Sequence, residues 1–405
     1  YFLNFFIIFI DNVVSKVAFK LNKIIIERFY FPKIEFLKIC LKCKLIPAKY
    51  INFFNFDVES KSSQNNSKRT KLKDFFLETK YEDKFIQFIL INLYKDIPKS
   101  YLENFDLIKK KIYPLSKKKK TIFSMHSLNF IDNFKVYIAE AKKSGSKYIH
   151  AIHGGGLIPK MDPYMNFYDK ISDKIIEWDN EKEKKDNLIR LSPTLPVIKK
   201  KNFKKGKSCS IIFLEHAKYV LKFSYGPGLI AQSIDLFDNV IEFVKNLNPE
   251  IRSNIKFRTK GNYSHDTEKK FKRIFGKNSV SSPSNRNTFL KTISDSKLII
   301  HTYPLTAFSE SMYSNVPTIL ILNKNNWLLS KQSLNTWSHL MENKIAFDNF
   351  KDAKSHINKT WNQLDIWWNK ESVQFARKSF LSNYFNVKSN WYKEWSNYIY
   401  STKNI

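Results

Sequence analysis

Residues 297–323 read KLIIHTYPLTAFSESMYSNVPTILILN, and this stretch decides the fold of the second half of the chain. An apolar run ends at His301, a polar turn follows, and a short helical pattern spans 306–313. Asn315 closes that pattern, and a second apolar run occupies 318–322. Strand, turn, helix and strand in this order predict a βαβ unit, whose two strands are expected to be parallel and buried.

The turn after the first of these strands is a candidate phosphate or nucleotide site. In open α/β sheets, ligands bind beyond the carboxyl ends of the strands, and a helix N-terminus offers free backbone amides to an anion. Hydroxyl groups gather at that point, and a carboxylate one turn into the helix suits the hydroxyls of a ribose, or else it only stabilises the helix start. The residues concerned are Thr302, Tyr303, Thr306, Ser309 and Glu310.

A second turn of interest follows the apolar run 147–152 and reads His153, Gly154, Gly155, Gly156. Three glycines let the backbone approach a ligand closely or adopt a positive φ. His153 is then presented at the carboxyl end of a strand, where a general base or a phosphate donor is expected. The alternative interpretation is a tight turn with an incidental histidine.

The α/β pattern continues on both sides of these turns. Strands are predicted at 121–125, 209–214 and 255–260, and an amphipathic helix at 130–143. The strand at 255–260 carries Arg258 and Lys260 at its end, a reasonable clamp for a diphosphate or a carboxylate. As lone charges, two such cations are more often part of the solvated surface.

Two segments before the first predicted strand have contrasting composition. Residues 58–72 are polar and low in complexity, which predicts a loop. Residues 75–94 have helical spacing, with apolar side chains at Phe85, Phe88 and Ile89. We therefore predict a loop followed by one helix.

Composition limits the possible partners. The chain has 405 residues, room for two domains, and 69 Lys and Arg against 37 Asp and Glu give a net charge of +32. The lysines are spread along the chain and no RNA- or DNA-binding motif accompanies them, so we expect no nucleic acid. Peripheral contact with the anionic inner-membrane surface fits the charge better.

The cysteine content and the N-terminal run favour a cytoplasmic protein. Three cysteines do not make a disulfide framework. The apolar run at 1–10 is too short to span a bilayer, and no signal-peptide cleavage site follows it.

A stretch rich in proline and lysine at 192–208 is the best candidate for a linker. It divides the chain into a first α/β domain over 1–195 and a second α/β domain over 208–384. The final segment, 385–405, is predicted to form a helix that packs back on the first domain.

Four stretches together resemble a known family. They are YIHAIHGGG at 148–156, SYGPG at 224–228, TYPLTAFSESMYSNVPTILI at 302–321 and AKSHINKTWNQLDIWWNKESVQFARKSFLSNY at 353–384. In this order they are similar to the LIC12162-type transferases of bacterial surface carbohydrate biosynthesis. That family resembles the two-domain glycosyltransferases of the GT-B type.

The resemblance implies an α/β fold of two Rossmann-like domains facing a cleft. The first, over 1–195, would be the acceptor-side domain, which we expect to be incomplete, and the second, over 208–384, would be the nucleotide-sugar-binding domain that mainly holds the activated sugar. It implies that Thr302, Thr306 and Glu310 hold the nucleotide and that Arg258 holds a phosphate or a donor carboxylate. His153 would face the reacting centre. Enzymes of this type commonly need no metal and no cofactor other than the nucleotide-sugar donor.

The chain departs from the family pattern in two places. Leu305 stands where the family usually has a serine, so one hydroxyl donor to the nucleotide is missing. The family is also longer at its N-terminus, so we expect the first strands of the acceptor domain to be absent.

The function predicted from these features is transfer of a sugar from a nucleotide donor to a surface polysaccharide or a lipid-linked glycan. His153 is the candidate base, with Glu215 and His216 in reserve. One alternative is transfer of a polyol phosphate, as in teichoic-acid polymerases. Another is a polysaccharide-assembly protein that has lost turnover.

Overall fold

The structure, a computed structural model, describes most of the chain. The described residues are 2–50, 54, 56, 64–79, 81–155, 163–179, 186–194, 206–213, 230–259, 266–281, 286–327 and 329–404. Among them, no helix combines the length and the apolar character that crossing a bilayer requires.

Five strands form the first sheet, in the spatial order of the chain itself. They are β1 (Ile24–Glu27), β2 (Thr121–Ser124), β3 (Lys147–Ala151), β4 (Lys174–Glu177) and β5 (Leu188–Arg190). The first three pair in parallel, with Ile122 opposite both Ile25 and Tyr148. All residues of β1 and β2 are buried, as expected for parallel strands covered on both faces.

Five parallel strands form the second sheet, in the order β10-β9-β8-β6-β7. They are β6 (Ser208–Ile212), β7 (Ile255–Arg258), β8 (Ser296–His301), β9 (Thr318–Ile321) and β10 (Ala346–Phe347). Numbered within this sheet, the order is 2-1-3-4-5, that of a doubly wound fold. The order reverses between β6 and β8, and ligands bind at such a switch point.

Eighteen α-helices accompany the strands in the described part of the chain. The first eight are α1 (Phe2–Leu21), α2 (Lys33–Lys42), α3 (Asn66–Glu78), α4 (Lys84–Asp96), α5 (Phe105–Ser116), α6 (Ser127–Phe130), α7 (Asp132–Lys143) and α8 (Pro163–Ile171). The others are α9 (Ile230–Lys245), α10 (Pro249–Ser253), α11 (Thr267–Phe275), α12 (Arg286–Asp295), α13 (Thr306–Ser314), α14 (Lys331–Glu342), α15 (Phe350–Thr360), α16 (Leu364–Trp368), α17 (Glu371–Tyr384) and α18 (Trp391–Ser401).

The second sheet is covered on both faces, because its strands alternate between two apolar clusters. Ile211 and Ile300 pack in the larger cluster with helices α9, α13 and α17. Their neighbours Ile212 and Ile299 pack in the smaller cluster against α12. Near-continuous apolar runs are required for this arrangement, and they are what made these strands predictable from the sequence.

The last helix, α18, lies with the first strands although it ends the chain. Trp395 is fully buried, and its ring lies 5.5 Å from that of Phe29 and 5.4 Å from that of Phe31. The Thr121 hydroxyl at the start of β2 donates to the carbonyl of Thr402 at 3.2 Å. The prediction that the C-terminal helix crosses back is thus confirmed.

By their contacts, the residues divide into two units. The first contains 1–153, 172–175 and 392–405, and the second contains 154–171 and 176–391. The boundary that we predicted within 192–208 stays a prediction, because residues 195–205 lie outside the described part.

The helix predicted over 75–94 is wrong in its limits. Helix α3 already begins at Asn66, within the segment predicted as a loop, and it ends at Glu78, whereas α4 begins at Lys84. The side chains of Asn65 and Asp83 accept hydrogen bonds from the first amides of these two helices. These caps start two helices where apolar spacing alone indicated one.

The end of α13 supplies a test of backbone conformation. Asn315 adopts a left-handed conformation with φ of 59°, and Trp368 Nε1 donates to both its carbonyl and its side-chain oxygen. We expect Asn315→Ala to lower the free energy of unfolding by about 1–2 kcal/mol, because a Cβ is strained at this φ. Asn315→Gly should stay closer to the wild type, as measured by the thermal midpoint.

Lys344, with φ of 60°, is the matched control. Since lysine already carries a Cβ there, Lys344→Ala should leave the midpoint unchanged. Equal midpoints for the alanine and glycine variants of Asn315 would contradict the role of the left-handed conformation at this helix end.

Candidate functional site

At the switch point of the second sheet, hydrogen bonds connect the predicted turn to the neighbouring strand. The Thr302 amide donates to the carbonyl of Ile212 at 3.3 Å, and the Thr302 hydroxyl donates to the same oxygen at 3.4 Å. These bonds join the end of β8 to the end of β6. The residues after β8 therefore stand at the point where a doubly wound sheet binds its ligand.

Helix α13 begins directly after this turn. Its N-cap, Leu305, provides no side-chain hydrogen bond, so no side chain of the cap competes with an anion for the first amides. Ser309 and Glu310, one turn further, are 0% and 4% exposed. Ser309 Oγ is buried, and none of the described residues makes a hydrogen bond to it.

Arg258 and Glu310 bring opposite charges to this site. Arg258 ends β7, is 8% exposed, and its guanidinium carbon lies 5.2 Å from the ring centre of Phe289. Burial raises the pKa of Tyr303 to about 12, while the Arg258 charge lowers that pKa and the Glu310 charge raises it. Both charges thus act at one tyrosine. A buried cation beside hydroxyl groups suits a phosphate, and a buried carboxylate suits sugar hydroxyls.

The glycine turn also contributes to the second unit. The Gly155 amide donates to Thr306 Oγ1 at 3.2 Å, so two of the predicted ligand-binding residues meet directly. A Cβ on Gly154 would lie 2.7 Å from the same oxygen, closer than atoms tolerate. Glycine is required at 154 for this close approach.

Four residues named from the sequence cannot be placed in this way. Gly156, Lys260, Glu215 and His216 lie outside the described residues.

His153 lies in the first unit, in the turn that follows β3. It is exposed, and its ring centre is 3.6 Å from that of His126, which follows β2. Burial, and then the nearby charge of Arg28, lower the pKa of His126 to about 4. His126 is therefore neutral near pH 7 and packs against His153 without repelling a proton held there.

A buried carboxylate at the end of β1 was missed in the sequence. Glu27 is 0% exposed, and its Oε1 accepts a hydrogen bond from Ser127 Oγ at 3.1 Å. Burial raises the pKa of Glu27 from 4.5 to about 7, against the lowering effects of Ser127 and Arg28. Such a carboxyl group exchanges its proton near neutral pH.

A third histidine, His150 in β3, completes this edge of the first sheet. Its Nδ1 lies 3.1 Å from the Tyr148 hydroxyl, and burial lowers its pKa to about 3. The edge therefore combines neutral imidazoles with a carboxyl group that is poised to titrate. In the described part of the chain, no group of three or more His, Cys, Asp or Glu residues is arranged to hold a metal ion.

The missed residues had a weak signal in the sequence. Three isoleucines at 24–26 precede Glu27, and an apolar run at 122–123 comes shortly before His126. A short β-branched run that ends on a charged or imidazole side chain marks a strand end. Nothing in the sequence indicated that the two ends would be adjacent.

The fold and the two strand edges define an α/β protein with two parallel sheets and a candidate phosphate site at the switch point of the second. The family model described as "LIC12162 family transferase" matches residues 2–399. The chain belongs to this family, as its motifs predicted. No curated protein matches the chain.

Three solved structures are similar to the chain at low sequence identity. The chain is 12% identical to an S. aureus TarM mutant in complex with fondaparinux, α-GlcNAc-glycerol and UDP, with a TM-score of 0.44 over 74% of this chain and 58% of that one. The chain is 10% identical to Acinetobacter baumannii MurG, with a TM-score of 0.42 over 73% of this chain and 76% of that one. It is 9% identical to Anabaena HepE in complex with UDP and glucose, with a TM-score of 0.44 over 74% of this chain and 81% of that one. The chain thus spans less than two thirds of the TarM chain.

The raised pKa of Glu27 predicts a pH-dependent stability. Between pH 4.5 and 7 the folded protein keeps a proton that the unfolded chain releases, so this group's contribution falls as the pH rises. Glu27→Gln removes that loss. Relative to wild type, the free energy of unfolding of the variant should increase by up to about 3 kcal/mol between pH 5 and pH 8.

The measurement is the difference in thermal midpoint between variant and wild type at the two pH values. At pH 5 glutamine replaces a neutral carboxyl group of the same shape, so the difference should be small. A difference that does not change with pH would show that Glu27 is not a buried, titrating carboxyl group.

Proposed function

We propose that the chain is a glycosyltransferase that moves a sugar from a nucleotide-activated donor to a surface polysaccharide or a lipid-linked glycan. Membership of a transferase family supports group transfer. The observation that carries the proposal is the buried polar cluster at the switch point of the second sheet. Its cation, carboxylate and hydroxyl groups match the parts of a nucleotide sugar.

The donor's phosphates are assigned to Arg258 and to the first amides of α13. Leaving-group departure places negative charge on the phosphate, and a preoriented guanidinium and helix N-terminus stabilise that charge. Glu310 is assigned to the hydroxyls of the nucleoside or the sugar. The positive charge comes from the protein, so the proposal includes no metal ion and no further cofactor.

The acceptor is assigned to the histidine pair. His153 is exposed, and the His126 against which it lies is neutral, so no positive charge on His126 opposes a proton on His153. In the reaction, the acceptor oxygen forms a bond to the anomeric carbon while the bond from that carbon to the phosphate oxygen breaks. The hydroxyl proton passes to His153, and the nucleotide leaves with the electron pair.

The place of action follows from the acceptor and the charge. We assign the protein to the cytoplasmic face of the inner membrane, where lipid-linked glycans are assembled. A net charge of +32 attracts it to anionic lipid headgroups.

Replacing the base tests the proposal. We expect His153→Ala to reduce the rate of sugar transfer by about a hundredfold or more, because general base catalysis contributes that much. The affinity for the donor should not change. Transfer from a labelled nucleotide sugar measures the rate, and donor titration measures the affinity.

His339→Ala is the matched control. His339 lies in α14 against the ring of Phe375, and its loss should leave transfer intact. Equal rates for His153→Ala and wild type would remove His153 as the base. If the product linkage contained phosphorus, the reaction would be polyol-phosphate transfer and not glycosyl transfer.

A further inference from the structure

Helices α3 and α4 form a hairpin, and hydrogen bonds join the end of α3 to the start of α4. The Gln87 side chain donates to the carbonyl of Phe76 at 2.9 Å and accepts from the Tyr81 amide at 3.1 Å. Asp83 caps the first amides of α4. These bonds hold the end of the hairpin where α3 stops and α4 starts.

The opposite end of the hairpin is anchored by one arginine. Arg69 is 5% exposed, and its guanidinium donates to the carbonyls of Tyr94, Lys95 and Ile97. The same group makes a two-point bond to the Glu103 carboxylate, at 2.8 and 3.1 Å. A buried, bidentate pair fixes orientation as well as position. The hairpin is therefore rigid and is attached at the end remote from its turn.

Large apolar side chains are exposed at the free end. We call these six residues the apolar tip: Phe75 (58% exposed), Leu77 (50%), Phe85 (69%), Ile86 (45%), Phe88 (61%) and Ile89 (45%). No residue of α4 is buried, although most of its side chains are apolar. Clustered exposure of this kind is unfavourable in water and marks an interaction surface.

The charge of the protein favours an anionic partner. Lys71 and Lys84 each lie one turn before a phenylalanine of the tip and so share its helix face. Over 71–84 the four lysines are offset by four acidic residues, at 74, 78, 82 and 83, so the attraction comes from the net charge of +32. Two copies of the chain repel each other at that charge, whereas an anionic lipid surface attracts it.

We propose that the apolar tip is the site at which the protein docks on an anionic phospholipid bilayer. The phenylalanine and isoleucine side chains enter the boundary between headgroups and acyl chains, and the lysines remain at the headgroups. Docking would hold the enzyme beside a lipid-linked acceptor, and this purpose rests on the proposed function. Docking itself is measurable without donor or transfer.

The test is co-sedimentation of the full chain with vesicles of equal parts phosphatidylglycerol and phosphatidylcholine. Wild type should sediment with these vesicles and much less with phosphatidylcholine alone. The double variant Phe85→Ser, Phe88→Ser should show a partition coefficient lower by about tenfold or more, because two inserted rings are lost. Serine adds no charge, so the change reports on apolar insertion.

The matched control is Ile34→Ser, Leu41→Ser on α2. Those side chains are 65% and 77% exposed, in the same unit, and outside the tip. The control should sediment like wild type. An equal loss in both double variants, or no binding by wild type, would overturn the proposal.

Two further readouts distinguish lipid docking from self-association and from a defect in the nucleotide site. Sedimentation velocity without lipid should give the same size for wild type and the tip variant, whereas a dimer that depends on the tip would assign this surface to a second copy and overturn docking. Any thermal shift that a nucleotide produces should be the same in both proteins. A failure of docking therefore does not contradict the nucleotide site, and a failure of nucleotide binding does not contradict docking.

Discussion

The parallel pairing of β6 with β8 is the constraint on which the second unit depends. Pairing β6 with both β7 and β8 creates the point where the strand order reverses. Buried isoleucines on both faces fix the register, since a slip of one residue would exchange the two apolar clusters. Thr302 then bonds to the end of β6, and α13 starts where its amides face the switch point. Packing of the sheet therefore positions the candidate donor site.

Burial has a different role at the edge of the first sheet. Removing Glu27 from water raises its pKa, and removing His126 and His150 lowers theirs. All three shifts disfavour charge, so the buried His150 and the half-buried His126 are neutral at pH 7. A catalytic imidazole benefits from such neighbours, because they do not oppose the proton that it takes and returns.

The sequence predicted the parts of this structure that depend on local pattern. The strand at 121–125 is observed as Thr121–Ser124 and the helix at 306–313 as Thr306–Ser314, because buried apolar runs and caps are local signals. The candidate site could be proposed from the sequence where glycine and hydroxyl residues cluster along the chain. Glu27 and His126 were missed because they are far apart in sequence and become neighbours only when β1 pairs with β2. The apolar tip was missed because helical spacing of apolar residues normally indicates burial, whereas its six side chains are exposed here.

Nucleotide binding is the property that tests the assigned donor site most directly. The measurement is a thermal-shift screen of the chain against CMP, CDP, UDP, GDP and their common sugars. At about a hundred times its dissociation constant, a ligand of the folded state adds roughly 2.7 kcal/mol of stability, enough to raise the midpoint visibly. We expect a rise with one nucleotide and its sugars, and loss of that rise in Arg258→Ala. No rise with any member of the panel, or an undiminished rise in the variant, would contradict the assignment of the donor site.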